Sequence, residues 1–312
     1  MQPLYRGRFA PSPSGPLHFG SLVAAVASCL DARCCGGEWL VRIDDLDPPR
    51  VVAGAADDIL RALKACGMQW DGTLAYQSKR NDAYHAALHR LRAPGLVYPC
   101  ACSRREIADS AASGIEGPVY PGTCRNGTAA GKIARAWRID TRGATIAFDD
   151  AIQGHVRQDI ETEIGDFVLY RADGVFAYHL AVAIDDAEQG VTDVVRGADL
   201  LGSTPRQIYL QRLLGLPTPH YCHVPVALDA AGEKLSKQTL AAPVDAARPL
   251  PALVAALRFL GQEPPAELAR SDCAALWQWA IPHWRRDRIP RVRGAKLPVS
   301  RAEVESLPHD RR

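Results

Sequence analysis

Arg8-Phe9-Ala10-Pro11-Ser12-Pro13-Ser14-Gly15-Pro16-Leu17-His18-Phe19-Gly20-Ser21 is the stretch on which the fold turns. A β-rich opening at 5–9 runs into a Pro/Gly-rich turn. An apolar helix then begins near His18 and ends at Cys35-Gly36-Gly37. A strand–loop–helix junction of this kind directs unpaired backbone N–H groups and the positive end of a helix dipole at an anion. His18 supplies one side chain at the helix mouth, and Gly20 supplies a bare backbone that lets phosphates approach. From this segment alone, an ordinary βα junction with a surface histidine would read the same.

A second segment lies far downstream: Glu233-Lys234-Leu235-Ser236-Lys237-Gln238, after the loop Asp229-Ala230-Ala231-Gly232. Two lysines flanking a serine on a polar loop suit an anionic leaving group, because a lysine is a compact charge that can follow a departing phosphate. Alone it would be a solvated charge cluster. In this order and at this separation, the two segments resemble the paired nucleotide-binding motifs of class I aminoacyl-tRNA synthetases. His18-Phe19-Gly20-Ser21 stands for the first motif and Lys234-Leu235-Ser236-Lys237-Gln238 for the second. The resemblance implies ATP contacts from His18, Gly20, Ser21, Lys234, Ser236 and Lys237, with His18 and Lys237 catalytic.

The bulk composition fits an enzyme of this kind. The chain has 312 residues, 47% hydrophobic and 23% charged, which describes one large globular domain with an appendage. No apolar run reaches the roughly 18 residues a membrane helix needs, and the 17–30 stretch, interrupted by His18, Gly20, Ser21 and Ser28, reads as a buried helix. Nine cysteines without a secreted disulfide pattern imply a reducing compartment, so a cytoplasmic protein with no membrane partner is expected, working as a monomer. The net charge of +2 announces no nucleic-acid partner. Locally, Arg285, Arg286, Arg288, Arg291, Arg293 and Lys296 form a basic run that is either a frayed terminus or an RNA contact.

Strands are predicted at 40–43, 137–139, 167–170, 177–184 and 191–195, with helices at 56–66, 79–92 and 205–214. Thr204-Pro205-Arg206-Gln207 and Ser103-Arg104-Arg105-Glu106 both have the form of helix capping boxes. Strands alternating with helices predict an α/β doubly wound parallel sheet with its ligands beyond the carboxyl ends of the strands. The expected division is a Rossmann-like catalytic domain over 1–238, an inserted subdomain at about 97–135, and a short helical region over 239–312. In that last region, helices are predicted at 251–260 and 266–280.

The insertion carries Cys100, Cys102 and Cys124. Thiolates are good zinc ligands, and a structural tetrahedral site needs four donors. On chemistry alone a histidine would complete it, with His85, His89 and His155 as competitors, and buried free thiols are the alternative.

Three further stretches narrow the resemblance: Arg8 to Gly15, Val41-Arg42-Ile43-Asp44-Asp45-Leu46-Asp47-Pro48-Pro49-Arg50, and Tyr178 through Arg196 to Gln207. Together they resemble the glutamyl branch of class I, over roughly residues 4 to 240. The nearest likeness is to its truncated paralogues, the glutamyl-queuosine tRNA(Asp) synthetase family, which lack a full anticodon-binding domain. That likeness implies a structural zinc held by Cys100, Cys102, Tyr120 and Cys124, with Tyr120 taking the fourth place. It implies glutamate contacts from Arg8, Ser12, Asp44, Tyr178 and Arg196, with Asp44 standing where the family usually has Glu.

The implied reaction is tRNA-independent activation of L-glutamate by ATP, carried with Mg2+, to glutamyl-adenylate. The glutamyl group then passes to the queuosine base in the anticodon of tRNA(Asp). Only about 75 residues come after the second motif, which favours an enzyme that works on the anticodon itself. The alternatives are a compact glutamyl-tRNA synthetase charging a 3′ end, and a catalytically silent RNA-binding paralogue. Retention of His18, Gly20, Lys234 and Lys237 speaks against the silent one.

Overall fold

Strand β1 (Arg6–Phe9) is an interior strand, third from one edge, of a seven-stranded sheet in the computed structural model, which describes residues 4–110, 112–114, 117–229, 232–235 and 243–296. From β1 the chain crosses through α1 (Phe19–Cys34) to β2 (Glu38–Ile43), then through α2 (Ala55–Ala65) to the edge strand β3 (Ala75–Tyr76). Helix α3 (Asn81–Arg92) comes next, and then an insertion. It comprises β4 (Val97–Cys100), α4 (Arg104–Ser110), the hairpin β5 (Ala112–Gly114) and β6 (Gly117–Val119), and β7 (Ala136–Ile139). The chain continues through β8 (Thr145–Asp150), β9 (Gly154–Asp159), α5 (Ile160–Glu163), β10 (Val168–Tyr170) and α6 (Tyr178–Glu188). It re-enters the sheet as β11 (Asp193–Gly197) and, after α7 (Thr204–Leu214), as β12 (His220–Val224). Last come β13 (Val226–Leu228), α8 (Leu250–Phe259), α9 (Cys273–His283) and β14 (Gly294–Lys296).

The strand order is β3-β2-β1-β11-β12-β8-β9, parallel throughout except for the antiparallel pair β8 and β9. Gly7 pairs with Trp39 of β2 on one side and Asp193 of β11 on the other. The winding therefore reverses at β1, and a crevice opens beyond the carboxyl ends of β1 and β11. Side chains on the central strands alternate between two cores, as a pleated strand requires. Val195 and Cys222 face α1, α2, α8 and α9, whereas Val194 and Tyr221 face α3, α6 and α7.

Helix α1 is buried nearly all round, which explains its run of small and apolar residues from Leu22 to Ala32. It stops at Gly36, whose φ of +65° suits a residue without Cβ. Gly37 then passes so close to the Tyr5 carbonyl that a side chain there would collide with it.

Three expectations change. The 266–280 segment is not one helix: Ala266–Arg270 is a 3-10 turn, and α9 starts afresh at Cys273, where the Asp272 side chain caps it by accepting from the Ala275 N–H. The 177–184 segment is the helix α6, not a strand. Every residue from Leu180 to Asp186 is buried, and a run apolar on all sides looks the same in either conformation. Ser103 and Glu106 do form a capping box, each side chain reaching the other's backbone N–H at 3.2 and 2.8 Å. Thr204 and Gln207 do not: α7 continues directly from the 3-10 turn Ala198–Ser203, and both side chains turn instead to Arg196.

Helices α8 and α9 lie against α1 within the same apolar core. Asp31, buried on α1, anchors the segment just after α9 and the start of the chain. It accepts from Tyr5 Oη at 2.6 Å, Trp284 Nε1 at 3.0 Å and Arg286 Nε at 2.9 Å. Within the basic run, Arg285, Arg286 and Arg288 pair with Asp287, Asp31 and Glu263. Removing the Asp31 carboxylate strands the Trp284 and Tyr5 donors and unpairs Arg286, whose side chain is 38% exposed. Asp31→Ala is therefore expected to cost about 3 kcal/mol, read as a shift of the urea midpoint. A shift within about 0.5 kcal/mol, typical of an unimportant surface site, would contradict this.

Candidate active site

The crevice between β1 and β11 is a cleft of about 870 Å³. Its wall includes Arg8, Ser12, His18, Gly20, Ser21, Tyr178, Arg196 and Lys234. Residues up to 226 positions apart in sequence thus converge at the switch point of the sheet.

His18 is the N-cap of α1, in an extended conformation. Its Nδ1 accepts from the Ser21 N–H at 3.4 Å, which leaves Nε2 to donate to Ser21 Oγ at 3.0 Å. The imidazole is thereby held across the first turn of the helix, beside N–H groups that have no intrahelical acceptor. A Cβ on Gly20 would meet the Leu235 carbonyl at 3.2 Å and the His18 ring at 3.3 Å. The loop after β13 therefore lies directly over the mouth of α1. That loop is a tight return: Leu235 N–H donates to Ala227 O and Asp229 N–H to Glu233 O, both at 2.8 Å. Lys234 Nζ reaches Asp199 Oδ2 at 2.5 Å.

Behind the cleft stands a buried charge network. The Arg8 guanidinium donates to the Asp186 carboxylate from Nε at 3.2 and 3.3 Å and from Nη2 at 3.1 Å. Arg42 binds the other side of Asp186 through Nη1 at 2.7 Å and Asp44 through Nε at 2.8 Å. Burial would raise the Asp186 pKa, but Arg8 and Arg42 outweigh it and hold it below the ordinary value. Burial wins at Asp44, pushing its pKa up to about 6 against the pull of Arg42. Asp44 is 7% exposed and faces Arg42; it is not among the residues lining the cleft.

Arg196, on β11, is 5% exposed. Its Nη2 donates to Thr204 Oγ1 at 2.8 Å and Gln207 Oε1 at 2.9 Å, and its Nε donates to His223 Nε2 at 3.0 Å. Nη1 is buried and has no partner within the chain. A buried cationic donor left unsatisfied at a cleft wall suits an anionic ligand, a carboxylate above all.

The catalytic-domain family model for class I tRNA synthetases (E and Q) matches residues 5–266. The chain belongs to that family. Among its relatives, the glutamyl-Q tRNA(Asp) synthetase of Aromatoleum aromaticum is 60% identical over 296 residues, covering 95% of this chain and 94% of the relative. The enzyme of the same name from Dechloromonas aromatica is 61% identical over 297 residues, covering 95% and 99%. The fold is that of the glutamate-tRNA synthetase of Elizabethkingia anophelis, at a TM-score of 0.76 and 24% identity, covering 97% of this chain and 69% of that one. A glutamate tRNA ligase from Elizabethkingia meningosepticum, solved with its amino acid, gives a TM-score of 0.73 at 24% identity, covering 94% and 67%.

In this synthetase a second cluster lies in the insertion. The Sγ atoms of Cys100, Cys102 and Cys124 all fall within 4.8 Å of one another, close enough to share one metal ion. Tyr120 Oη sits 3.4 Å from Cys100 Sγ and 3.5 Å from Cys102 Sγ, so the phenol is the oxygen among the three sulfurs. Soft thiolates with one hard oxygen fit zinc. Arg138 stacks on the Tyr120 ring at 4.0 Å and donates from Nε to Cys100 Sγ at 3.4 Å, placing a positive charge beside the thiolates. Among the described residues, these four side chains with Tyr98 and Ile107 make up the apolar core of the insertion.

Ser236 and Lys237, expected at the ATP site, lie outside the described residues. Four supporting residues carry no sequence signal: Asp186, Asp199, His223 and Asp150 act through partners 27 to 178 positions away. Only their position on strands or helices adjoining the motifs could have suggested them.

Proposed function

We propose that this synthetase activates glutamate with ATP and transfers the glutamyl group to the queuosine base in the anticodon of tRNA(Asp). The observation that carries this reading is about 60% identity, over nearly the full length of both chains, with relatives named for that reaction. The cleft supports it with a cationic wall for a dicarboxylic amino acid beside a helix mouth for phosphates. Working as a cytoplasmic monomer, the enzyme would take ATP as its magnesium complex.

In the first step the glutamate α-carboxylate attacks the α-phosphorus of ATP, the bond to the β-phosphate oxygen breaks, and pyrophosphate leaves. No side chain need act as a nucleophile; positioning and charge stabilisation lower the barrier. Arg8 and Arg196 hold carboxylate oxygens, with Ser12 and Tyr178 beside them, and Asp44, set back from the cleft wall on Arg42, is assigned to the substrate ammonium through water. His18 and the backbone of Gly20 and Ser21 meet the phosphates. Lys234, Ser236 and Lys237 follow the departing pyrophosphate, Lys234 exchanging Asp199 for phosphate as the loop engages. In the second step a hydroxyl of the cyclopentene-diol of queuosine attacks the acyl carbon, and AMP leaves. One zinc ion held by Cys100, Cys102, Tyr120 and Cys124 supplies structure and takes no part in these steps.

Labelled glutamate tests the acceptor. Label is expected on tRNA(Asp) that carries queuosine, also after its 3′ end has been trimmed, and not on the same tRNA lacking queuosine. Transfer that requires the 3′ end and ignores queuosine would instead make this a compact glutamyl-tRNA synthetase.

A further inference from the structure

The Arg196 guanidinium is gripped from behind by a fully buried imidazole–carboxylate pair. His223 and Asp150 have wholly buried side chains on the neighbouring strands β12 and β8. Asp150 divides its two oxygens between two tasks. Oδ1 accepts backbone N–H groups of Ile152, Gln153 and His223 at 3.0, 2.9 and 3.1 Å, which fixes the turn after β8. Oδ2 is 2.6 Å from His223 Nδ1. A carboxylate at that distance fixes the proton on Nδ1, so Nε2 presents a lone pair. That lone pair faces Arg196 Nε at 3.0 Å, with Thr204 Oγ1 at 3.1 Å as its other neighbour. Burial pushes the His223 pKa down to about 4, although Asp150 pulls the other way, so the ring stays a neutral acceptor near pH 7.

We propose that Asp150 and His223 are positioning residues that orient Arg196 so that its unpartnered Nη1 meets a carboxylate of the substrate. The inference rests on the glutamate reading above and extends it. Oδ1 alone would serve the turn; the Oδ2–imidazole arm leads only to Arg196 and its neighbour Thr204. A buried histidine–aspartate pair is costly beside an apolar pair of the same shape, so a purely space-filling role would not need it. With Nε held by His223 and Nη2 by Thr204 and Gln207, the guanidinium plane has no freedom left, and Nη1 alone remains for a ligand.

The experiment is glutamate-dependent ATP–pyrophosphate exchange with the full chain, comparing wild type, His223→Leu, His223→Gln and Asp150→Asn. Asp150→Asn keeps Oδ1 for the turn but offers an amide N–H to Nδ1, which moves the ring proton to Nε2 and sets donor against donor at Arg196. His223→Leu and Asp150→Asn are expected to raise KM for glutamate by about 10- to 100-fold, the cost of one misdirected charged hydrogen bond, with KM for ATP within about twofold. His223→Gln restores an acceptor near Nε2 and is expected to stay within about fivefold of wild type. An unchanged glutamate KM in folded Asp150→Asn would overturn the proposal even if the leucine variant fails to fold. So would a glutamine variant as impaired as the leucine one. Wild-type protein without any glutamate-dependent exchange would instead overturn the glutamate reading, and the substrate assigned to this relay with it.

Discussion

Arg196→Lys is expected to lower kcat/KM for glutamate in pyrophosphate exchange by about a thousandfold, a larger effect than a change that keeps the charge would suggest. The guanidinium holds three side chains, His223, Thr204 and Gln207, and leaves Nη1 for the proposed substrate carboxylate. An ammonium has three donors on a flexible stem and cannot span that set. Whichever way Lys turned, a buried acceptor would be left unmatched, either Gln207 Oε1 or His223 Nε2. The substrate's own charge-assisted bond would be lengthened as well. The unmatched acceptor and the weakened bond to the substrate cost about 1–3 kcal/mol each, and together they reach the expected magnitude. Saturating glutamate should recover part of the rate, because the defect lies in holding the acid and not in the phosphate chemistry. A variant with ordinary glutamate KM would show that the cleft takes its carboxylates elsewhere.

Cys124→Ser is expected to lower the metal content, proposed at one zinc ion per chain, and to melt the insertion before it touches adenylate chemistry. Serine is a poor zinc ligand near neutral pH, and the remaining donors do not make a closed tetrahedral site. The insertion has little else to hold it: its described core is Cys100, Cys102, Tyr120 and Cys124 with Tyr98 and Ile107. For so small a unit, metal affinity is folding free energy, of the order of 10 kcal/mol in comparable small sites. The damage should stop at Asp166, whose bonds to Thr141 lie outside the 101–135 segment. Asp166 accepts from Arg125 Nε at 2.6 Å and Nη2 at 2.8 Å, and from the Thr141 N–H and Oγ1 at 2.9 and 2.8 Å. Elemental analysis should read the loss of metal, and limited proteolysis should cut within 101–135 first. Pyrophosphate exchange should fall by less than about tenfold, since Asp166 does not line the cleft. Unchanged metal content would exclude Cys124 as a ligand.

What the sequence reveals of this fold is what local chemistry can write. The turn from Arg8 to Ser21 carries its own punctuation, Pro and Gly before a capping residue, and β1, the loop and α1 follow from it. The motifs at His18 and Lys234 are legible because each is contiguous, and their meeting follows from the sheet order. Segment 177–184 reads as a strand because a helix buried on every face has no polar stripe to mark its period. Strand β12 gives no signal because His220-Tyr221-Cys222-His223-Val224 looks neither alternating nor uniformly apolar. With β12 and β8 unseen, the Asp150–His223–Arg196 chain is invisible too. Its members are local to nothing but one another. Helix α8 is legible as a helix, whereas the expected 266–280 helix splits into a 3-10 turn and α9. Neither α8 nor α9 is legible as a wall of the α1 core, since apolar faces say only that something must cover them.

The ladder between β13 and β14 has a practical consequence for anyone who shortens this protein. Val226, Ala227 and Leu228 pair in parallel with Gly294, Ala295 and Lys296, and Gln153 pins the approach by donating to the carbonyls of His223 and Val292. The last described strand is thus stitched to the strand from which the Lys234 loop springs. Truncation upstream of Gly294 would unfasten one side of that springboard, and a chain trimmed there would lose the support beneath the Lys234 loop rather than a decorative end.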